Sequence, residues 1–155
     1  MNRKLLATLL LGFAIAGGVP HEIFAAGPQS SASSGGTLYK RLGGYDAISA
    51  VTDDLITRLV SDPQLSKFFV GLNDESKKRV RQHFIDFLCN STGGPCLYLG
   101  QDMKTAHKGL HITDGEWNAA AADLTATLDK FKVPDKEKNE VLSAVTALKP
   151  QIVGQ

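Results

Sequence analysis

From residue 37 onward, apolar side chains return every three or four positions and hardly ever alternate with polar ones. That period places them on one stripe of an α-helix, whereas a half-buried strand needs a repeat of two. The chain is thereby confined to helix packed on helix. Leu38 to Leu42 make a short first turn, closed by Gly43 and Gly44. From Asp46, the residues Ile48, Val51, Leu55 and Leu59 share a face that ends near Asp62-Pro63. Pro63 opens the brief segment PQLSKFF, since proline is tolerated in a first helical turn. Asp74 is expected to cap a helix with Val80, His83, Phe84, Phe87 and Leu88 on its buried face, stopping before Gly93-Gly94-Pro95. A short helix is expected over about 101–109, with Gly109 as its stop. Thr113 and Glu116 have the capping-box spacing ahead of a long helix that would bury Trp117, Ala121, Leu124, Leu128 and Phe131. Pro134-Asp135 restarts the chain into a last helix with Val141, Ala144, Val145 and Leu148 inside. The expected fold is all-α, with four sizeable helices and two or three stubs.

The chain before residue 37 is of another kind. MNRK followed by LLATLLLGFAIAGGV has the layout of a secretory signal and is too short to span a bilayer comfortably. Residues 1–26 therefore read as a signal peptide or N-terminal anchor. Residues 27–36, GPQSSASSGG, read as a flexible linker, and residues 37–155 as one domain with a single core. Export is expected, to a bacterial periplasm, with a membrane tether only if the leader stays uncleaved. A net charge of +1 with no long run of either sign leaves no electrostatic footprint for nucleic acid. Partners are then small molecules or proteins, and the domain is expected as a monomer or weak dimer.

Three of the four histidines, His83, His107 and His111, fall in the domain, and His21 falls in the leader. His83 sits within an apolar face, where an imidazole needs a hydrogen-bond partner or a ligand. A satisfied core histidine is the plainer alternative. His107 and His111 are four apart and could share a helical face to hold a metal. Gly109 interrupts them, and the glutamate of a zinc-peptidase motif is missing. One histidine acting alone from a short helix is more economical, provided a cofactor supplies the metal's other ligands. Cys89 and Cys96, the only cysteines, flank the double glycine. In an oxidising compartment they either form a bridge, pinning the end of a helix to the loop before His107, or stay as two reduced, buried thiols.

The stretches LYKRLGGYDAI, LSKFF, GGPCLYLGQDMKTAHKGL and HIT resemble the truncated haemoglobins of group I, from Thr37 to about Leu148. The resemblance implies a truncated globin, a two-on-two helical sandwich around haem b; no C-x-x-C-H motif is present for thioether attachment. Its most specific piece, a double glycine, Tyr-x-Gly and then Met-Lys-x-x-His, puts the proximal iron ligand at His107, with the other ring nitrogen expected on a backbone carbonyl. Phe69 matches the aromatic residue that packs on the haem plane. Aligning HFIDFL by counting back from Gly93-Gly94 sets Val80, Phe84 and Leu88 on the haem side and makes His83 a distal histidine able to bind or cap iron. Met103 and Trp117 complete the implied pocket. His111, Lys104 and Lys108 are implied at the surface or near the propionates.

Two positions depart from the family pattern. Ile56 stands where a tyrosine commonly donates a hydrogen bond to bound oxygen, and Phe84 stands where a glutamine often assists it. His83 is then the only evident polar group over the iron. The implied function is reversible binding of oxygen or another diatomic gas such as NO or CO, with a redox role through a reductase or electron donor as an extension. Nitric oxide dioxygenase or peroxidase activity is one alternative, bis-histidine electron transfer a second, and a helical interaction module without haem a third.

Overall fold

Polar caps and glycines cut the chain into helices. The computed structural model describes residues 35–155, so the leader, His21 and most of the linker lie outside the described residues. Helix α1, Leu38–Arg41, starts where the Thr37 hydroxyl accepts from the Lys40 amide. Gly43, at φ 97°, turns the chain into α2, Gly44–Ser61, through a left-handed conformation that suits glycine. A 3-10 turn, Ser66–Phe69, follows Pro63. Helix α3, Asp74–Ser91, is capped by Asn73 rather than by Asp74. Either side chain can cap, and Asp74 instead puts a negative charge in the first turn, where the helix dipole favours it. Asp102 caps α4, Met103–His107, and Thr113 and Glu116 close the reciprocal capping box of α5, Asp114–Lys130. Helix α6, Asp135–Thr146, follows Pro134, and a second 3-10 turn spans Lys149–Gln151. Among the described residues there is no strand, and no helix is long and apolar enough to cross a membrane.

Helix α2 lies between α3 and α5 and donates to two apolar clusters. One joins Leu55, Leu59, Leu65, Leu124, Leu128 and Val141, with Phe69 and Phe84 packed against it. The other joins Ile48, Ile85 and Cys89, with Leu88, Tyr39 and Cys96 alongside. Each such large side chain, fully buried, is worth about 1.5–3 kcal/mol. Several faces differ from the periodic reading. Thr52, not Val51, is the fully buried residue of α2. Phe131 and Ala144, expected inside, are exposed. In their place Thr127 and Glu137 are buried. The Thr127 hydroxyl donates to Asp54 at 3.0 Å, and Arg58 donates to the same carboxylate at 2.8 Å. Lys130 and then Arg58 hold the Asp54 carboxyl down at about 2.

Arg41 ties α1 to α6, donating to Glu137 at 2.9 Å and pairing with Glu140. The last residues close on the segment after α4. The His111 amide donates to the Gln155 carbonyl at 2.8 Å, and the Gly154 amide to Ile112 at 2.9 Å. Between α2, α3, α5 and α6 remains an apolar cavity of about 40 Å³, lined by Ile48, Val51, Leu88, Leu124, Leu128 and Val141 among others.

Candidate functional site

Helix α4 is little more than one turn, and its boundaries set the direction of His107. Asp102 starts it, Lys108 leaves it in an extended conformation, and Gly109 turns away at φ 82°. The helix therefore ends on the imidazole. The His107 ring is half-buried, and its Nδ1 lies 2.7 Å from the Met103 carbonyl oxygen. A carbonyl can only accept, so Nδ1 carries the proton and Nε2 presents a bare lone pair. No described residue hydrogen-bonds to that Nε2. This is the tautomer a metal-ligating histidine needs, with a hydrogen bond behind it that fixes the ring plane.

His83 is on α3 as expected, but not on its core face. Ile85 and Cys89 are completely buried and pack toward Ile48, while Arg81 donates to Asp53 and Ser49 of α2. His83 and Phe87 stand two positions from Ile85, a little over half a helical turn, and so point away from α2. His83 is exposed and Phe87 half-buried. The correction is physical: the arc against α2 carries Arg81, Ile85 and Cys89, and the apolar stripe is wider than that arc.

Chain between α3 and α4 links these two histidines. Cys89 and Cys96 are bridged, with Cα atoms 5.7 Å apart, so the end of α3 is pinned to the strand-like run before His107. Two residues on, the Tyr98 ring meets His83 edge-on at 6.1 Å and Phe87 at 5.3 Å between centroids. Tyr98 is the tyrosine of the Tyr-x-Gly step in the sequence motif, which by itself assigns it no role. Its signal was the flanking glycine pattern, which periodicity does not read.

The other expected site residues differ in burial and in what they pack on. Val80 and Met103 are half-buried, as is Trp117 in the first turn of α5. Phe69 and Phe84 pack on the first core cluster, and Leu88 packs on the second and lines the cavity. His111 is exposed at φ 50°, directed by its backbone pairing with Gln155 and not joined to His107 in a shared helix. Lys104 and Lys108 are exposed. Among the described residues no three His, Cys, Asp or Glu side chains converge to hold a metal ion. The donor set is one imidazole beside apolar and aromatic residues. It suits a metal that brings its equatorial ligands with it, as haem does.

A two-on-two helical globin, with one imidazole presented from a stub helix, is the class that this fold and site define. The chain belongs to the bacterial-like globin family, whose profile matches residues 37–153. It is 34% identical over 116 residues to the group 1 truncated haemoglobin GlbN of Mycolicibacterium paratuberculosis, covering 75% of this chain and 83% of that one. To the group 1 truncated haemoglobin GlbN of Synechocystis it is 36% identical over 115 residues, covering 72% of this chain and 90% of that one. The ferric truncated haemoglobin of Tetrahymena pyriformis superposes with a TM-score of 0.72 at 28% identity, over 77% of this chain and all (100%) of that chain. A Synechococcus 2/2 haemoglobin, in the cyanomet state and with covalently attached haem, superposes with a TM-score of 0.70 at 25% identity, over 77% and 100% of the two chains. The chain is a haem-binding globin, and haem b is the prosthetic group its family membership implies.

Proposed function

We propose that the protein reversibly binds a diatomic gas, oxygen or its relatives NO and CO, on haem iron held by His107. The observation that carries this reading is the His107 ring itself, fixed through Nδ1 by Met103 at 2.7 Å and bare at Nε2. The haem, when bound, supplies the gas-binding and one-electron chemistry. The chain's own residues orient it: His107 from one side, with Val80, Met103, Phe69, Phe84, Leu88 and Trp117 supplying apolar surface. Ile56 and Phe84 offer no hydrogen-bond donor to a bound gas. Without preorganised donors, ligand polarisation is weak, which favours binding over dioxygenase or peroxidase turnover.

His83 favours a second reading, one-electron transfer with iron held by two histidines. It is an exposed imidazole on the outward face of α3 with no hydrogen bond to any described residue. Either reading calls for an electron donor to keep the iron ferrous. The apolar leader and the Cys89–Cys96 bridge support export to an oxidising periplasm. Cell fractionation with N-terminal sequencing of the mature chain tests that point, and a protein found whole in the cytoplasm refutes it.

The deciding experiment is absorbance spectroscopy of the purified protein, ferric and ferrous, with and without carbon monoxide. A Soret band that shifts with CO is expected, and His107→Ala should lose most of the haem or hold it weakly. A normal Soret band and CO spectrum in His107→Ala would remove His107 as the axial ligand.

A further inference from the structure

Tyr98 has no part in the reading above, yet its ring is fixed from three directions. Two residues before it, Cys96 is bonded to the fully buried Cys89, and the Asn90 side-chain amide donates to the Cys96 carbonyl at 3.0 Å. Two residues after it, a Cβ on Gly100 would stand 2.4 Å from the ring's Cζ, so the ring lies across backbone that only glycine leaves open. Its hydroxyl donates to the Gln101 carbonyl at 2.6 Å. Burial pushes the phenol's titration up, which keeps it a donor.

The ring so held stands on the outward face of α3. It lies nearly perpendicular to His83, at 79° and 6.1 Å, and to Phe87, at 74° and 5.3 Å. These are edge-to-face geometries of the attractive kind. His83 has no hydrogen bond to a described residue, so contact with Tyr98 is what defines its resting orientation.

We propose that Tyr98 is a positioning residue for His83, docking the imidazole on the surface of α3 and so setting how often it is free to serve as a second axial ligand. The inference rests on the haem reading given above. Docked and iron-bound orientations of one imidazole compete. Losing an aromatic contact of this kind should then shift the balance toward the iron by roughly 2- to 10-fold.

The test is a mutant cycle on the full haem-loaded protein, read by the ratio of low-spin to high-spin ferric absorbance and by the rate of carbon monoxide binding. Tyr98→Leu removes the ring, and should raise the low-spin ratio and slow CO binding by roughly 2- to 10-fold. Tyr98→Phe keeps the ring and should stay within about twofold of the parent. In a His83→Leu background Tyr98→Leu should change neither quantity, because no imidazole remains to be released. A disorganised pocket would move both backgrounds alike, and that result overturns the proposal, as does a flat or falling low-spin ratio. Should Tyr98→Leu not retain haem, Gly100→Ala displaces the ring from the same place and carries the same expectations. A parent protein with no Soret band sinks the haem reading and this inference with it; a Soret band with a flat cycle sinks only the role of Tyr98.

Discussion

Lys67 reaches from the 3-10 turn that carries Phe69 to the carboxylate of Glu116, the residue that closes the capping box of α5. The pair joins the segment after α2 to the start of the longest helix of the C-terminal half. Lys67, then the backbone and hydroxyl of Thr113, hold the Glu116 carboxyl at about 2 instead of 4.5. Its folded value is below its unfolded one, so the unfolded chain takes up the proton first as pH falls. The contribution is complete above about 4.5 and is lost as pH drops toward about 2; Asp54, lowered from 3.8 to about 2, behaves the same way. Melting temperature should therefore hold from neutrality to about 4.5 and then fall, and Glu116→Gln should flatten part of that fall. An unchanged acid slope in the variant would detach Glu116 from it.

Asp123 has the opposite sign. One of its carboxylate oxygens is buried without a hydrogen-bond partner, and burial, with Asp62 nearby, raises its titration. A raised carboxyl binds its proton in the folded state first, so its penalty exists at neutral pH and disappears in acid. Asp123→Asn should raise the melting temperature at neutral pH and do less in acid. A lower melting temperature at neutral pH would show that the charge has a use the fold depends on.

Ile85 and His83 are two residues apart and should differ sharply in cost. Ile85 is completely buried, so Ile85→Ala should destabilise by about 2–5 kcal/mol in denaturant unfolding. His83 is exposed and gives up only its contact with the Tyr98 ring, so His83→Ala should cost no more than about 1.5 kcal/mol. Equal costs would mean that α3 does not turn Ile85 inward and His83 outward.

The Cys89–Cys96 bridge spans a sequence separation of 7. Closing so short a loop stabilises by about 2 kcal/mol, which reduction should remove. Alkylation of unreduced protein followed by mass spectrometry should label neither cysteine, whereas labelling at both positions excludes the bridge.

Helix positions were legible because their signals are local. Thr113 with Glu116, Gly43 and the Gly93-Gly94-Pro95 stop each act within a turn of chain, and all stand where the sequence put them. The facing of α3 was not legible, for a reason tied to the cofactor. Val80, Phe84, Phe87 and Leu88 are apolar beside Ile85 and Cys89, so hydrophobicity runs around much of the helix. Periodicity cannot separate an arc that packs on protein from one suited to an apolar ligand. Buried Thr127 and Glu137 were missed because hydrogen bonds and ion pairs over long sequence distances satisfy polar groups that a local reading assigns to water. Thr52 was missed because it is buried with its hydroxyl unpartnered, against the usual rule for a polar group. The Nδ1 bond of His107 to Met103 was foreseeable, since residues four apart meet on a helix.

The backbone pairing of His111 and Ile112 with Gln155 and Gly154 has a consequence for biosynthesis. Helix α4 is too short to persist on its own hydrogen bonds, so its shape is borrowed from what flanks it. One flank, the Cys89–Cys96 bridge, lies upstream, but the other, Gly154 and Gln155, lies beyond α5 and α6. A nascent chain can thus assemble α2 and α3 early while the His107 ring remains unset. The setting of this short helix is thereby tied to elements made after it, so its order depends on the packing of the later helices.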